Sequence, residues 1–150
     1  MSVADSNNYL RNRVMQASRE QLQLMLYDGA IRFALEGREA ILKKDYERSY
    51  EKLSRAQSIL LEMQASLRPE VNAALCEQMS SLYDFVYRKL VSGSVTREVV
   101  EVDDAVKILR HQRQTWAMLM EKVTEARAES EHGDSREAEV LERGSLFVEG

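Results

Sequence analysis

The side chains best suited to catalysis or metal binding are two histidines and a single cysteine. Glu129 and His132 form a Glu-x-x-His step, a unit that di-iron helical bundles use twice, but here it occurs once. Cys76 has no second cysteine with which to form a disulfide or a thiolate zinc cage. His111 lies in a polar stretch typical of a helix surface, and no phosphate-binding loop or dinucleotide fingerprint is present. We therefore expect no catalytic residue, no cofactor and no metal site, and we do not expect an enzyme.

Length and composition are those of one globular domain. The chain has 150 residues, of which 44% are hydrophobic and 31% are charged, and a chain of this size buries a core without covalent cross-links. Six glycines and one proline are too few for the frequent turns of an all-β chain. The net charge of −4 argues against a nucleic-acid partner, because proteins that bind nucleic acids usually present a basic surface.

The sequence predicts neither secretion nor membrane insertion. Residues 1–12 are polar and lack the apolar segment of a secretory signal, and no window approaches the 18 or more apolar residues that span a bilayer. A lone cysteine fits a reducing compartment. We expect a soluble, cytoplasmic protein without direct membrane insertion.

Charge is distributed unevenly along the chain. Residues 128–150 carry seven acids and two bases, a net charge of −5, whereas the preceding 127 residues carry a net charge of +1. The same C-terminal residues include three glycines and have little periodicity, which is typical of disorder. The sequence therefore predicts a flexible N-terminal segment at 1–17, a helical domain at 18–126 and an acidic disordered tail at 127–150.

Four helices are predicted within the helical domain. Ser18 begins the first with a capping box, and Asp45 caps the second. Pro69, the only proline, suits the first turn of the third helix, which we expect to end at the Ser- and Gly-containing residues 91–94. The fourth helix begins between residues 96 and 104.

Apolar residues recur along these helices at steps of three and four. In the first helix they form two interleaved stripes, Leu22, Met25, Leu26, Ala30 and Phe33, and Leu24, Tyr27, Ile31 and Leu35. Together these stripes make an apolar face wider than one neighbouring helix needs. The positions expected in the core from the other helices are Tyr46, Tyr50, Leu53, Ala56, Leu60, Met63, Leu67, Val71, Leu75, Met79, Leu82, Val86, Leu90, Val102, Val106, Leu109, Trp116, Met120 and Val123. Because helices joined by short connections pack as antiparallel neighbours, the expected fold is all-α, an antiparallel up-down-up-down four-helix bundle.

Four stretches, in this order, resemble the FliS family of flagellar secretion chaperones. They are ASREQLQLMLYDGAI at 17–31, RAQSILLEMQASL at 55–67, LYDFVYRKL at 82–90 and RQTW at 113–116. The resemblance covers residues 8–124, and its first stretch is the most specific. Two departures are Arg19, where the family often has proline, and Gln112, where it often has leucine.

The resemblance implies a cytoplasmic export chaperone without enzymatic activity or cofactor. Such a chaperone binds the disordered C-terminal segment of flagellin, prevents its premature polymerisation and delivers it to the membrane protein of the flagellar export gate. A client that folds on binding needs a long apolar track, which the grooves of a bundle supply. The resemblance leaves open whether the free protein forms a homodimer.

The resemblance also directs attention to particular client-binding residues. They are Tyr9, Leu10, Val14, Tyr27, Arg55, Ile59, Tyr83 and Tyr87. We expect the first three to cover part of the client groove when it is empty, although Tyr9 could instead anchor the N-terminus. Tyr27 and Tyr83 have a structural alternative as core-edge residues whose hydroxyls bond a neighbour. Arg55 and Ile59 lie beside the core stripe of the second helix, which makes them groove candidates.

Two alternative functions stay open at the level of sequence. The same architecture could hold another filament component, such as the cap protein. It could also act as a non-enzymatic regulator that binds a transcription factor or an export factor through the same surface. The LMLYDG block at 24–29 favours the flagellin chaperone.

Overall fold

The computed structural model describes the backbone of residues 3–148 and the side chains of residues 3–143. Within residues 3–148 it contains five α-helices and no β-strand. Their bounds are α1 Val3–Gln16, α2 Arg19–Leu42, α3 Tyr46–Ala65, α4 Ala73–Thr96 and α5 Val99–Val148. The all-helical class is as predicted, and the starts of α2, α3 and α5 fall where the sequence indicates them.

Local hydrogen bonds explain where α2 and α3 begin. The Ser18 hydroxyl accepts a bond from the Gln21 backbone N–H at 3.2 Å, and the Gln21 side chain accepts one from the Ser18 N–H at 2.9 Å. This reciprocal pair is the predicted capping box. The Asp45 carboxylate accepts a bond from the Arg48 N–H at 3.2 Å and so caps α3, also as predicted.

The predicted start of α4 at Pro69 is wrong. Helix α4 begins at Ala73, because Asn72 is the residue whose side chain accepts a hydrogen bond from the Leu75 backbone N–H, at 3.1 Å. Asn72 has extended backbone angles, as an N-cap requires. The residues around Pro69 therefore belong to the connection.

The predicted break of α4 at residues 91–94 is also wrong. The helix continues through Gly93 to Thr96 and ends where Arg97 adopts a left-handed conformation with φ of 60°. Gly93 is kept inside the helix by packing. A Cβ on this residue would lie 2.6 Å from Cγ2 of Val102 in α5, so the missing side chain lets α4 and α5 approach closely.

The core is built from one stripe on each of α2, α3, α4 and α5. Its buried apolar residues are Tyr27, Ala30, Ala34, Ala40, Ile41, Leu53, Ala56, Leu60, Met63, Tyr83, Val86, Leu90, Val102, Ala105, Val106 and Leu109. The core assignment was wrong for Tyr50, Val71, Leu75 and Val123, which are exposed. Tyr50 lies to the side of the buried α3 stripe, Val71 precedes α4, and Leu75 lies in its first turn.

Both ends of the chain differ from the expected disorder. The N-terminal segment forms α1, in which no described side chain is buried. The acidic tail continues α5 as far as Val148, and its last two residues lie outside the described part. Alanine, glutamate and arginine favour helix locally, and Arg143 pairs with Glu139 one turn earlier at 3.0 Å. The acidic residues of the tail indicate that it has no buried face, but a segment without a buried face can still form a helix.

The chain divides into two compact units, Met1–Gln114 and Thr115–Gly150. The first unit contains α1 to α4, the beginning of α5 and all of the buried residues. The second contains the remainder of α5, and none of its side chains is buried between residues 115 and 143. No helix within residues 3–148 has an apolar stretch long enough to cross a bilayer.

The candidate functional site between α2 and α3

Helices α2 and α3 approach each other closely at two glycines. A Cβ on Gly37 would lie 2.7 Å from Cγ of Leu53, and one on Gly29 would lie 3.2 Å from Cδ1 of Ile59. The first contact is buried, because Gly37 and Leu53 both belong to the interior. The second lies nearer the surface, where Ile59 is half-buried. Ile59 therefore rests on the α2 backbone and keeps part of its side chain accessible.

Three cationic side chains surround the half-buried ring of Phe33, one turn along α2 from Gly29. The guanidinium carbon of Arg32 lies 4.8 Å from the ring centre, and that of Arg55 lies 5.6 Å from it. The Lys52 ammonium is also 5.6 Å away. These distances are within the range of cation–π attraction, and they bring two helices together around one aromatic side chain.

The cations of this cluster differ in their carboxylate partners. Lys52 pairs with Glu36 of α2 at 3.1 Å, with only 16% of the lysine side chain exposed. Arg55 pairs with Glu51 of its own helix at 3.3 Å, and that pair is more exposed. Arg32 is exposed and has no carboxylate partner among residues 3–143. We call the surface formed by Gly29, Arg32, Phe33, Lys52, Arg55 and Ile59 the α2–α3 face.

A buried pair of tyrosines joins α2 and α4. The hydroxyl oxygens of Tyr27 and Tyr83 lie 2.8 Å apart in a hydrogen bond, and the Gln23 amide donates to Tyr83 at 3.1 Å. Both tyrosines are 1% exposed. Burial raises the pKa of both hydroxyls, and for Tyr83 the hydrogen bond to Tyr27 raises it further. The pair thus holds neutral hydroxyls in a dry interior.

Two ion pairs connect α2 with α5 in the first unit. Arg113 donates to the Asp28 carboxylate at 2.9 Å, and Arg38 donates to Asp103 at 2.6 Å. The hydrogen bond to Asp103 raises the pKa of Arg38. All four side chains are at least one-third exposed, so these pairs orient the helices more than they stabilise them.

The eight residues selected from the sequence fall into distinct environments. Tyr9, Leu10 and Val14 are exposed on α1, at 65%, 48% and 43%. Arg55 and Ile59 come together on the α2–α3 face, one turn apart on α3.

The other three selected residues lie on α2 or α4. Tyr27 and Tyr83 are the buried pair, as the structural alternative proposed, and neither offers side-chain surface to a ligand in this conformation. Tyr87 is half-buried on α4, one turn after Tyr83. Four residues of the α2–α3 face were not selected from the sequence, because their places beside Ile59 and around the Phe33 ring depend on the α2–α3 packing. They are Gly29, Arg32, Phe33 and Lys52.

Among residues 3–143, no group of three or more His, Cys, Asp or Glu side chains is placed to hold a metal ion. No buried side-chain nitrogen or oxygen in that part of the chain lacks a hydrogen-bond partner. What the α2–α3 face offers is a half-buried apolar floor bordered by cations, which suits binding.

Comparison with known proteins identifies the family. A family model described as flagellar protein FliS matches residues 2–123. The flagellar secretion chaperone FliS of Bacillus subtilis is 32% identical over 108 residues, covering 72% of this chain and 80% of that protein. Its counterpart from Salmonella typhimurium is 26% identical over 116 residues, with 77% and 86% covered.

A solved structure supports the same fold. The crystal structure of a bacterial flagellar chaperone superposes with a TM-score of 0.66 at 21% identity, covering 79% of this chain and 98% of that one. A match of the family model over most of the chain, together with these relatives, shows that the chain belongs to the FliS family of flagellar proteins.

Proposed function

We propose that this protein is a cytoplasmic export chaperone for flagellin. It binds the disordered C-terminal segment of flagellin, prevents premature polymerisation and delivers the client to the membrane protein of the export gate. The observation that carries the proposal is the family match over residues 2–123, whose relatives are named flagellar secretion chaperones. The protein acts by binding alone, without a cofactor, a catalysed reaction, nucleic acid or direct insertion into the membrane.

The proposal includes an arrangement of α2–α5 as an antiparallel four-helix bundle within a chaperone domain at 18–126. Support comes from contacts between helices: as residue numbers rise along α2, the numbers of the contacted residues fall, as expected for antiparallel helices. Asp28 of α2 meets Arg113 of α5, whereas Arg38, further along α2, meets Asp103. The paired positions at Gly29–Ile59 and Gly37–Leu53 run in the same opposed sense.

The α2–α3 face is the proposed contact for the apolar side of a client helix. Ile59 and Phe33 provide its half-buried floor, and Arg55 borders it. Tyr87 would extend the client track on α4, whereas the buried hydrogen bond between Tyr27 and Tyr83 joins α2 to α4. Ordering a disordered segment costs about 2–5 kcal/mol, so a client needs several such apolar contacts along one continuous track.

Helix α1 is the proposed cover of the empty site. Tyr9, Leu10 and Val14 are apolar or aromatic side chains exposed on a short helix. We expect them to occupy part of the track without a client and to be displaced when a client binds. Any part of the apolar track that α1 leaves uncovered would favour a homodimer of the client-free chaperone.

Co-purification tests the proposal directly. The tagged chaperone is expressed in its own bacterium, isolated from the cytoplasmic fraction, and its bound partner is identified by mass spectrometry. We expect flagellin to be retained, and flagellin lacking its C-terminal segment to be lost. Retention of the cap protein or of a transcription or export factor in place of flagellin would contradict the proposal and support one of the alternatives. Light scattering of the purified chaperone alone reports its oligomeric state.

A further inference from the structure

The α2–α3 face carries a local excess of positive charge at one side chain. Lys52 and Arg55 are each paired with a glutamate, at 3.1 and 3.3 Å. Arg32 is held 4.8 Å from the Phe33 ring centre, and it is exposed without a carboxylate partner among residues 3–143. Because Glu36 and Glu51 balance the charges of Lys52 and Arg55, Arg32 is the cation of this cluster that is left to attract a group of opposite charge.

The surroundings of Arg32 restrict what that group can be. Phe33 and Ile59 are half-buried apolar side chains on the same face, so the ligand must present apolar surface beside its negative charge. Glu36 and Glu51 lie at the edge of the cluster through their ion pairs, and they would repel a continuous polyanion such as nucleic acid. A single carboxylate next to an apolar side chain satisfies both restrictions.

We propose that the α2–α3 face recognises an acidic amphipathic helix, in which an Asp or Glu lies one turn from an apolar residue. The apolar side chain contacts Phe33 and Ile59, while the carboxylate accepts hydrogen bonds from the Arg32 guanidinium. Guanidinium and carboxylate form such bonds in a planar, two-point geometry that lysine cannot reproduce. The identification of this helix as part of flagellin rests on the proposed function, but the required chemistry does not.

Two probes separate the inference from the proposed function. The first is the C-terminal segment of flagellin from the same bacterium. The second is a pair of designed 20-residue amphipathic helical peptides with identical apolar faces, one carrying glutamate and the other glutamine one turn from the central leucine. Each is titrated against the full chain and its Arg32→Gln, Arg32→Lys and Arg110→Gln variants, at low and high salt. Arg110 is an exposed arginine of α5 outside the α2–α3 face, so its variant controls for the loss of net charge.

We expect Arg32→Gln to weaken binding of the glutamate peptide about fivefold at low salt and to reduce its salt dependence. The glutamine peptide should bind the wild type and Arg32→Gln equally, Arg32→Lys should restore part of the affinity, and Arg110→Gln should have little effect. Equal losses in the Arg32→Gln and Arg110→Gln variants would overturn the inference, as would displacement of the glutamate peptide by an oligonucleotide. If the flagellin segment fails to bind the wild type while the glutamate peptide depends on Arg32, the proposed function falls and the inference stands.

Discussion

At the scale of single residues, the tyrosine pair is the contact with the clearest energetic consequence. Tyr27 and Tyr83 share a buried hydrogen bond of 2.8 Å, so removing one hydroxyl leaves its partner without that bond in a dry interior. We expect Tyr27→Phe and Tyr83→Phe each to lower the free energy of unfolding by about 1–3 kcal/mol. The double variant should lose less than the two single losses together, because they share one interaction. Urea unfolding of all four proteins measures this coupling, and strict additivity would contradict it.

The same pair predicts a loss of stability at high pH. Burial raises the pKa of Tyr27 and Tyr83 above the ordinary value of 10.0. Above that value the tyrosines of the unfolded chain ionise while the buried pair stays protonated, so the unfolded state binds fewer protons and stability falls as pH rises. The slope is up to about 1.4 kcal/mol per pH unit for each tyrosine.

Comparison with the Tyr27→Phe/Tyr83→Phe variant isolates that contribution, because lysines titrate in the same range in both proteins. Above pH 10 the unfolding free energy of the wild type should fall more steeply with pH than that of the double variant. Below pH 10 the two free energies should change in parallel. If urea unfolding at pH 9 to 11 gave the same dependence of unfolding free energy on pH for both proteins, the pair would titrate normally and the prediction would be wrong.

The tyrosines also show how far single residues could be predicted. The repeated Leu-Tyr-Asp sequence at 26–28 and 82–84 is visible in the chain, and hydroxyl bonding to a neighbour was one expected alternative. That each tyrosine is the other's neighbour depends on the packing of α2 against α4, which no local pattern encodes. The cation cluster around Phe33 was not predicted for the same reason. Arg55 was selected as a groove residue, but its approach to Phe33, like that of Lys52, depends on how α3 packs on α2.

At the scale of helices, two local caps were predicted correctly, whereas the equally local Asn72 cap of α4 was missed because Pro69 offered a competing start. The end of α4, which depends on packing, was not predictable. The Ser18 and Asp45 caps depend on bonds to residues three positions away. Gly93 was interpreted as a helix breaker, since its role depends on Val102 in α5. A single sequence does not distinguish a glycine that lets two helices pack closely from a glycine that ends a helix.

Close approach of helices makes Gly37 sensitive to a single added methyl group. In Gly37→Ala the new Cβ would lie 2.7 Å from both Cγ and Cδ2 of the fully buried Leu53. We expect a loss of about 1–3 kcal/mol in unfolding free energy, despite the better helix propensity of alanine. Gly133→Ala is the matched control, because its Cβ would meet nothing within 4 Å. Thermal melts followed by circular dichroism compare them, and a Gly37→Ala variant as stable as the wild type would refute the close-packing assignment.

At the scale of the whole molecule, the distribution of charge separates two parts of the chain. The acidic C-terminal residues carry a net charge of −5 against +1 for the rest, and all described side chains between 127 and 143 are exposed. The composition alone revealed this asymmetry. It could not reveal that the tail is helical as far as Val148, because an excess of acidic residues indicates the lack of a buried face and leaves the backbone conformation open.

The tail is expected to be dispensable for client binding. Truncation after Ala126 removes residues 127–150, whose side chains are exposed as far as the structure describes them, to residue 143, and it leaves the proposed α2–α3 face complete. Affinity for the flagellin C-terminal segment should stay within a few-fold of the full chain in calorimetric titration. A hundredfold loss, about 2.7 kcal/mol, would show that the tail contributes to the site.

The central claim is that client binding uses the α2–α3 face, and a carboxylate placed on its floor tests it most directly. Ile59→Asp replaces an apolar side chain of the floor with a carboxylate, so an apolar client side chain loses its contact and meets a charged group, even where a neighbouring arginine pairs with that charge. Leu61→Asp puts the same charge on another side of α3, at a residue that is 50% exposed. Leu60→Asp, at a fully buried residue, shows what disruption of the core does to the melting temperature.

The measurement is the affinity of Ile59→Asp and Leu61→Asp for the flagellin C-terminal segment, with melting temperatures recorded for all three variants. We predict that Ile59→Asp stays folded and binds about 5- to 150-fold more weakly, the equivalent of about 1–3 kcal/mol. Leu61→Asp should bind as the wild type does, and Leu60→Asp should lose stability first. A stable Ile59→Asp variant with wild-type affinity, above all beside a weakened Leu61→Asp, would place the client track on a different face and contradict the account.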